Sequence, residues 1–220
     1  MNRLWVFGDS FSAGNGCYPE EVYPPKYKQT ENDLIWPEIL AKELKMELNN
    51  RAMGLNSNDK IIDSIIDNYY SILEGDIVII GKTFPSRFDI PTKKRTKLMT
   101  VSPVNMDPTT LAYFNAGYNE QDLESIWQMV DLMDDPLLTS RQDFRFNFLK
   151  SLLIQPKQVK KCIIWSVEDL WQNFETIVDA TEEEIIDYHW SYRGHKDFAK
   201  YITEQMELKQ VEVKPSRKLI

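Results

Sequence analysis

A serine hydroxyl becomes a nucleophile only beside a base that takes its proton, and histidine, with an unperturbed pKa of about 6.5, is the usual one. Two segments at opposite ends of this sequence supply those residue types. Near the start, Gly8-Asp9-Ser10-Phe11-Ser12 follows a short apolar run. Near the end, Asp187-Tyr188-His189-Trp190-Ser191-Tyr192-Arg193-Gly194-His195 holds both histidines of the chain. A serine where a strand runs into a helix stands where open α/β sheets bind ligands, and the free amides of such a helix start can stabilise an oxyanion. Ser10 is therefore the candidate nucleophile and His189 the candidate base. Asp187, two residues earlier in a stretch read as irregular, is the group that orients the ring and stabilises the imidazolium. The competing reading of Ser10 or Ser12 is a helix cap, the commoner task for serine at that place. His195 is read as packing at the start of the last helix.

The elements that must position these residues follow from periodicity. Short apolar runs predict strands over 3–7, 46–50, 76–80 and 161–165. Continuous apolar strands such as Ile77-Val78-Ile79-Ile80 are expected when both faces of a parallel sheet are covered. Helical spacing marks 35–44, with Pro37 acceptable in a first turn, and 57–73, which places Ile61, Ile62, Ile65, Ile66, Tyr69, Tyr70 and Leu73 on one face. Further helices are predicted over 120–133, 139–153 and 194–206, the last with Phe198, Ala199 and Ile202 inward. Strand and helix alternate, which defines the α/β class. Residues 1–208 read as one domain with an insertion at about 84–155, containing the basic run Lys93 to Lys97, and 209–220 as a C-terminal tail suited to ordering against a partner.

With these residues in view, the chain resembles the SGNH (GDSL-type) hydrolases. The first block of that family matches Gly8-Asp9-Ser10-Phe11-Ser12, and the last matches Asp187-Tyr188-His189-Trp190-Ser191 with Gly194-His195, similar to the DxHWSxxGH variant of bacterial and bacteriophage members. Trp36-Pro37 with Leu40-Ala41, and Asn50-Arg51-Ala52-Met53-Gly54-Leu55-Asn56-Ser57-Asn58, resemble intermediate blocks. The resemblance implies a flavodoxin-like three-layer α/β/α sandwich on a parallel sheet of about five strands. It also implies ester hydrolysis through an acyl-enzyme on Ser10, with oxyanion donors from Ser10, Gly54 or Leu55, and Thr83. Two departures stand out. Leu55 occupies the family's oxyanion glycine position, with Gly54 displaced by one, so a glycine-only backbone conformation is expected to be lost or shifted. Gly81-Lys82-Thr83-Phe84 replaces the family's Gly-x-Asn-Asp, so a threonine hydroxyl stands in for an asparagine amide.

Arg87 is a candidate anchor for an acidic or acylated substrate, weighed against a structural salt bridge, and Trp190 a candidate wall beside His189. Tyr18, Tyr23 and Tyr27, in the loop after the nucleophile segment, suit stacking on a sugar or simple packing. A carbohydrate ester carrying a small acyl group, most simply acetyl, is the preferred substrate class, because no apolar lid for lipid is evident. The rival reading is an SGNH-fold binding or structural module with a weak or vestigial site, for instance in a phage particle.

Composition narrows the remainder. The 220 residues are 42% hydrophobic and 27% charged, ordinary values for a globular domain that buries its own core. Thirty-four acidic against 26 basic residues give a net charge of −8, which disfavours nucleic acid and anionic membrane as partners. No apolar run has the length of a signal peptide or a spanning helix, which predicts a cytoplasmic protein or one carried on a virion. Cys17 and Cys162 lie far apart without metal-ligand spacing and read as free thiols. No metal and no cofactor are expected; Gly81-Lys82-Thr83 lacks the first glycine of a phosphate loop, since position 76 is Asp76. A homo-oligomer or assembly partner is compatible with all of this.

Overall fold

The computed structural model describes residues 2–14, 34–91, 98–101, 136–178 and 185–208, with the helical positions 121, 125 and 128, the side chains of 88, 91, 98–101, 136–138, 177–178, 185–188 and 208 excepted. The tyrosine loop, the basic run, most of the predicted helix over 120–133 and the tail lie outside these residues, as does Cys17. Four parallel strands form the main sheet, in the order β2 (Glu47–Asn50), β1 (Arg3–Phe7), β3 (Ile77–Lys82) and β6 (Lys161–Ser166). Two antiparallel pairs stand apart from it: β4 (Phe88–Pro91) with β5 (Leu98–Val101), and β7 (Thr176–Val178) with β8 (Ile185–Trp190).

The sheet is covered on both faces, and strand alternation decides what each face holds. On one side Leu4, Val6, Ile77, Ile79, Ile163 and Trp165 pack against α2 (Trp36–Leu44) and α6 (Tyr192–Leu208). On the other, Trp5, Phe7, Val78, Ile80 and Cys162 meet α3 (Asn58–Asn68) and α4 (Pro136–Ile154). This is the expected three-layer α/β arrangement. Helix α4 falls inside the stretch read as an insertion, yet Phe146, Leu149 and Leu153 belong to the core, so its C-terminal part is a layer of the domain. The apolar face predicted for 57–73 is split. Ile61, Ile62 and Ile65 are buried, whereas Ile66, Tyr70 and Leu73 are exposed, because the helix gives way to a 3₁₀ turn at Tyr69–Ser71 and the chain then drops to β3.

At the N-terminal edge of the sheet the buried Asp76 carboxylate accepts from the Arg3 amide at 2.8 Å, Trp5 Nε1 at 2.8 Å and the Leu73 amide at 3.0 Å, and pairs with the Arg3 guanidinium. One side chain thus ties the start of β1 to the turn before β3. The functional residues lie at the opposite edge.

The last block of the sequence owes several of its residues to packing. Ser191 caps α6, its hydroxyl accepting the Gly194 amide at 3.1 Å and donating to Glu175 Oε1 at 2.7 Å. At Gly194 the helix passes so close to the segment leading into β7 that an added Cβ would stand 2.3 Å from the Glu175 carbonyl oxygen. Helix propensity alone favours alanine over glycine by about 1 kcal/mol. The clash reverses that sign: Gly194→Ala is expected to destabilise the domain by about 1–3 kcal/mol in urea unfolding, and an unchanged or raised midpoint would contradict the close approach.

Candidate active site

β1 ends at Phe7 and the chain turns through Gly8 into the short helix α1 (Ser10–Ala13). Asp9 caps that helix, its Oδ1 accepting the Phe11 amide at 3.1 Å. Capping is therefore done by the aspartate and not by Ser10 or Ser12, because a carboxylate at the cap position reaches the second amide of the helix. Ser10, the first helical residue, is almost buried, and among the described residues neither its hydroxyl nor its amide is taken by a hydrogen bond. Of its polar groups only the carbonyl is used among these residues, accepting the Gly14 amide at 2.9 Å.

Asp9 itself has no exposed surface. Its Oδ2 accepts the Thr83 hydroxyl at 2.6 Å and Arg87 Nη1 at 2.9 Å. Burial pushes the Asp9 pKa up, the largest influence, while Arg87, Thr83, the Phe11 amide and the His189 ring pull against that rise. These contacts correct two expectations. The Thr83 hydroxyl is turned onto Asp9 instead of toward an oxyanion, and the Thr83 amide is taken by Asn58 Oδ1 at 2.9 Å. Arg87 is the partner of a buried carboxylate, with its guanidinium 5.4 Å from the Phe84 ring centroid, and not a free substrate anchor. Buried pairs of this kind cost about 3–5 kcal/mol to break from one side.

The turn after β2 comes to the same edge. The Gly8 carbonyl accepts the Met53 amide at 3.2 Å and Asn56 Nδ2 at 3.1 Å, which clamps residues 53–56 beside the start of α1. Within 51–56 the amides of Arg51, Ala52, Met53 and Asn56 are hydrogen-bonded, whereas among the described residues those of Gly54 and Leu55 are not. Leu55 has φ 62°, in the left-handed region. The glycine-type conformation is thus retained by a leucine, contrary to expectation, at a steric cost of about 1–2 kcal/mol; its side chain escapes a clash by projecting outward, 41% exposed.

His189 arrives from β8. Its ring lies 5.0 Å from that of Phe11, the residue after Ser10, and Trp190 meets the same phenyl edge-on at 5.1 Å. Ser10 and His189 are therefore brought to one corner, and among the described residues they make no direct hydrogen bond; such contacts commonly close only when substrate binds. Asp187 lies in β8, opposite Ile177, where the pairing with β7 shifts register on either side of Ile177. Its side chain is outside the described residues. Trp190, expected as a substrate wall, has no exposed surface, donates through Nε1 to the Trp171 carbonyl at 2.9 Å and stacks on Trp165, so it is core.

His195 is buried beside it. Its Nδ1 accepts the Trp36 amide at 3.4 Å, and burial, assisted by His189, lowers its pKa to about 3. Sequence reasoning overlooked Asp9 and Asn58. The cap preference of Asp pointed to the first. For Asn58, which joins Thr83 to Gln142 through Nδ2 at 3.1 and 2.8 Å, no sequence signal stands out. Two cavities lie nearby: one of about 140 Å³ at the C-terminal ends of β3 and β6, lined by Asn58, Thr83, Gln142, Ser166 and Asp169, and one of about 480 Å³ along the edge of β6. Neither is lined by Ser10 or His189.

No protein-family model matches the chain, and no curated protein matches it. Solved structures do. One is of a carbohydrate esterase whose active site is described as having divergent catalytic and non-catalytic binding functions (14% identity, TM-score 0.38, 96% of this chain and 69% of that one). A second, from Desulfitobacterium hafniense DCB-2, is of a protein described as lipolytic and of the G-D-S-L family (15%, 0.36, 93% and 99%). A third is a lipase/acylhydrolase from Enterococcus faecalis (12%, 0.37, 99% and 100%). Likenesses of this size leave the functional reading to rest on the residues.

The His195 environment has a measurable consequence. Its folded pKa of about 3 lies below the unfolded value of about 6.5, so between these values the unfolded chain binds the additional proton. Its contribution to stability is then present above about pH 6.5 and lost as pH falls toward 3, with a slope approaching 1.4 kcal/mol per pH unit, about one proton's worth. His195→Gln should remove that share of the slope in urea unfolding across this range; an identical slope in the variant would contradict a buried neutral ring.

Proposed function

We propose that this chain is an ester hydrolase of the SGNH type, acting through an acyl-enzyme on Ser10. The observation that carries the reading is the pairing of Ser10, whose hydroxyl and amide are uncommitted among the described residues, with a clamped turn whose Gly54 and Leu55 amides are likewise uncommitted there, one of them held in a strained conformation. Such strain is concentrated at functional sites. In this reading the Ser10 oxygen attacks the ester carbonyl carbon while His189 takes the hydroxyl proton. The carbonyl oxygen, now negative, accepts from the Ser10 amide and from Gly54 or Leu55. Collapse expels the alcohol, which receives the proton from His189, and water then attacks the acyl group on Ser10 by the same route. Asp187 is assigned the orientation of His189.

A carbohydrate ester with a small acyl group, such as acetyl, is the preferred substrate. The smaller cavity is not lined by Ser10 or His189, but it reaches Thr83, which is bonded to Asp9 beside Ser10, and its polar lining of Asn58, Thr139, Gln142 and Ser166 suits a hydroxyl-rich alcohol better than an acyl chain. Among the described residues no helix is long and apolar enough to cross a membrane. The alternative is a binding or structural module, in a phage particle or another assembly; the commitment of the Thr83 hydroxyl to Asp9 favours it.

Labelling of the purified chain with a fluorophosphonate separates the two. Stoichiometric labelling, lost in Ser10→Ala and strongly slowed in His189→Ala, is expected, followed by turnover of acetylated sugars. A folded wild type that does not label would sink the enzymatic reading and leave the module.

A further inference from the structure

Asp9 is joined to three parts of the site at once. It precedes Ser10 in the chain, it accepts the Phe11 amide through Oδ1, and Phe11 carries the ring against which His189 lies. Its other oxygen is held by Thr83 at 2.6 Å and by Arg87 at 2.9 Å. Of these donors only Arg87 brings charge, and its side chain is itself largely buried, 12% exposed. A fully buried carboxylate without a counter-charge either takes up a proton or draws in water, and both alter how it bonds.

We propose that Arg87 is a positioning residue for the nucleophile. Acting through Asp9, it holds the start of α1, sets the Ser10 oxygen against the oxyanion amides and seats Phe11 beneath His189. Arg87 lies four residues beyond Thr83, so the loop after β3 supplies both donors to Asp9. An arginine and a hydroxyl there fix the aspartate, where the resembled family has an asparagine amide. The catalytic consequence rests on the esterase reading; the positioning itself does not.

The test compares the full wild-type chain with Arg87→Met, Arg87→Lys and Thr83→Val. Fluorophosphonate inactivation is resolved into its saturation constant and its maximal rate, and amide exchange at Phe11, Ser12 and Ala13 is followed by NMR. In Arg87→Met the maximal rate should fall about 10²-fold, the loss expected when reacting groups move by about 1 Å, with the saturation constant little changed. Arg87→Lys, which keeps the charge but not the fork, should fall between it and wild type. Exchange at Phe11 should quicken while α3 and α6 stay protected. A folded Arg87→Met with wild-type rate and wild-type Phe11 protection overturns the proposal, as does exchange that quickens uniformly across the domain. If Arg87→Met does not fold, Arg87→Lys and Thr83→Val carry the same readouts, and no change in either is equally fatal. If wild type does not label, the esterase reading fails separately, and the Phe11 exchange alone decides the role of Arg87.

Discussion

A carboxylate shut away from water is stable only where its lone pairs are answered, and in this domain that condition is imposed at the residue before the candidate nucleophile. Asp9 lies at the end of β1, the inner strand at which the sheet order turns from β2 on one side to β3 on the other. The groups that answer it come from two parts of the chain: the Phe11 amide from α1, and Thr83 and Arg87 from the loop after β3. The bonds work in both directions. They keep Asp9 from unpaired burial, and they fix α1 relative to β3, so the serine stands where the parallel ladder between β1 and β3 places it. Loss of any one donor leaves the aspartate underanswered in a place that water does not reach.

The remainder of the sheet exists to hold that edge. Because β1 and β3 are apolar on both faces, α2 with α6 and α3 with α4 can cover the two sides, and each layer also delivers a functional piece. α6 is anchored by Phe198 and Ile202, and the strand entering it brings His189. α3 begins at Ser57, whose hydroxyl caps it by accepting the Lys60 amide at 3.2 Å, and the turn leading into that cap presents Gly54 and Leu55. Asn58 clips the same helix to Thr83. The positions of Ser10, His189 and the Gly54–Leu55 turn are thus consequences of layer packing.

Much of this was legible from residue order. The apolar quartets gave away the central strands, and the serine, histidine and turn segments were found because their residue types are rare or sharply placed: there are only two histidines, and both are in one block. What could not be read was the partner of each polar group. Arg87 and Trp190 sit beside chemistry in the sequence, yet one faces a buried carboxylate and the other the core, because a side chain's direction at a loop or strand end is set by tertiary contacts that periodicity does not encode. Asp9 was hidden by its neighbour: the motif draws attention to the serine, while the burial that makes the aspartate central arises only when the loop after β3 folds over it. The split of the predicted 57–73 face has the same origin, since the 3₁₀ turn at Tyr69–Ser71 changes which side chains point inward.

The departures at Leu55 and Thr83 look at first like two independent losses, but they differ in kind. At Leu55 the backbone conformation survives, since the side chain projects outward and the turn is clamped by two bonds to the Gly8 carbonyl; the amide that matters belongs to the main chain and is indifferent to what the side chain is. At Thr83 a side-chain donor is at stake, and a hydroxyl has one hydrogen, so giving it to Asp9 leaves none for an oxyanion. The first departure costs strain and keeps the backbone conformation; the second commits the hydroxyl to the support of Asp9 beside Ser10. In the proposed esterase, charge stabilisation would fall to main-chain amides and precision to a buried ion pair, which would make the loop after β3 a foundation for Ser10 instead of a contact for substrate.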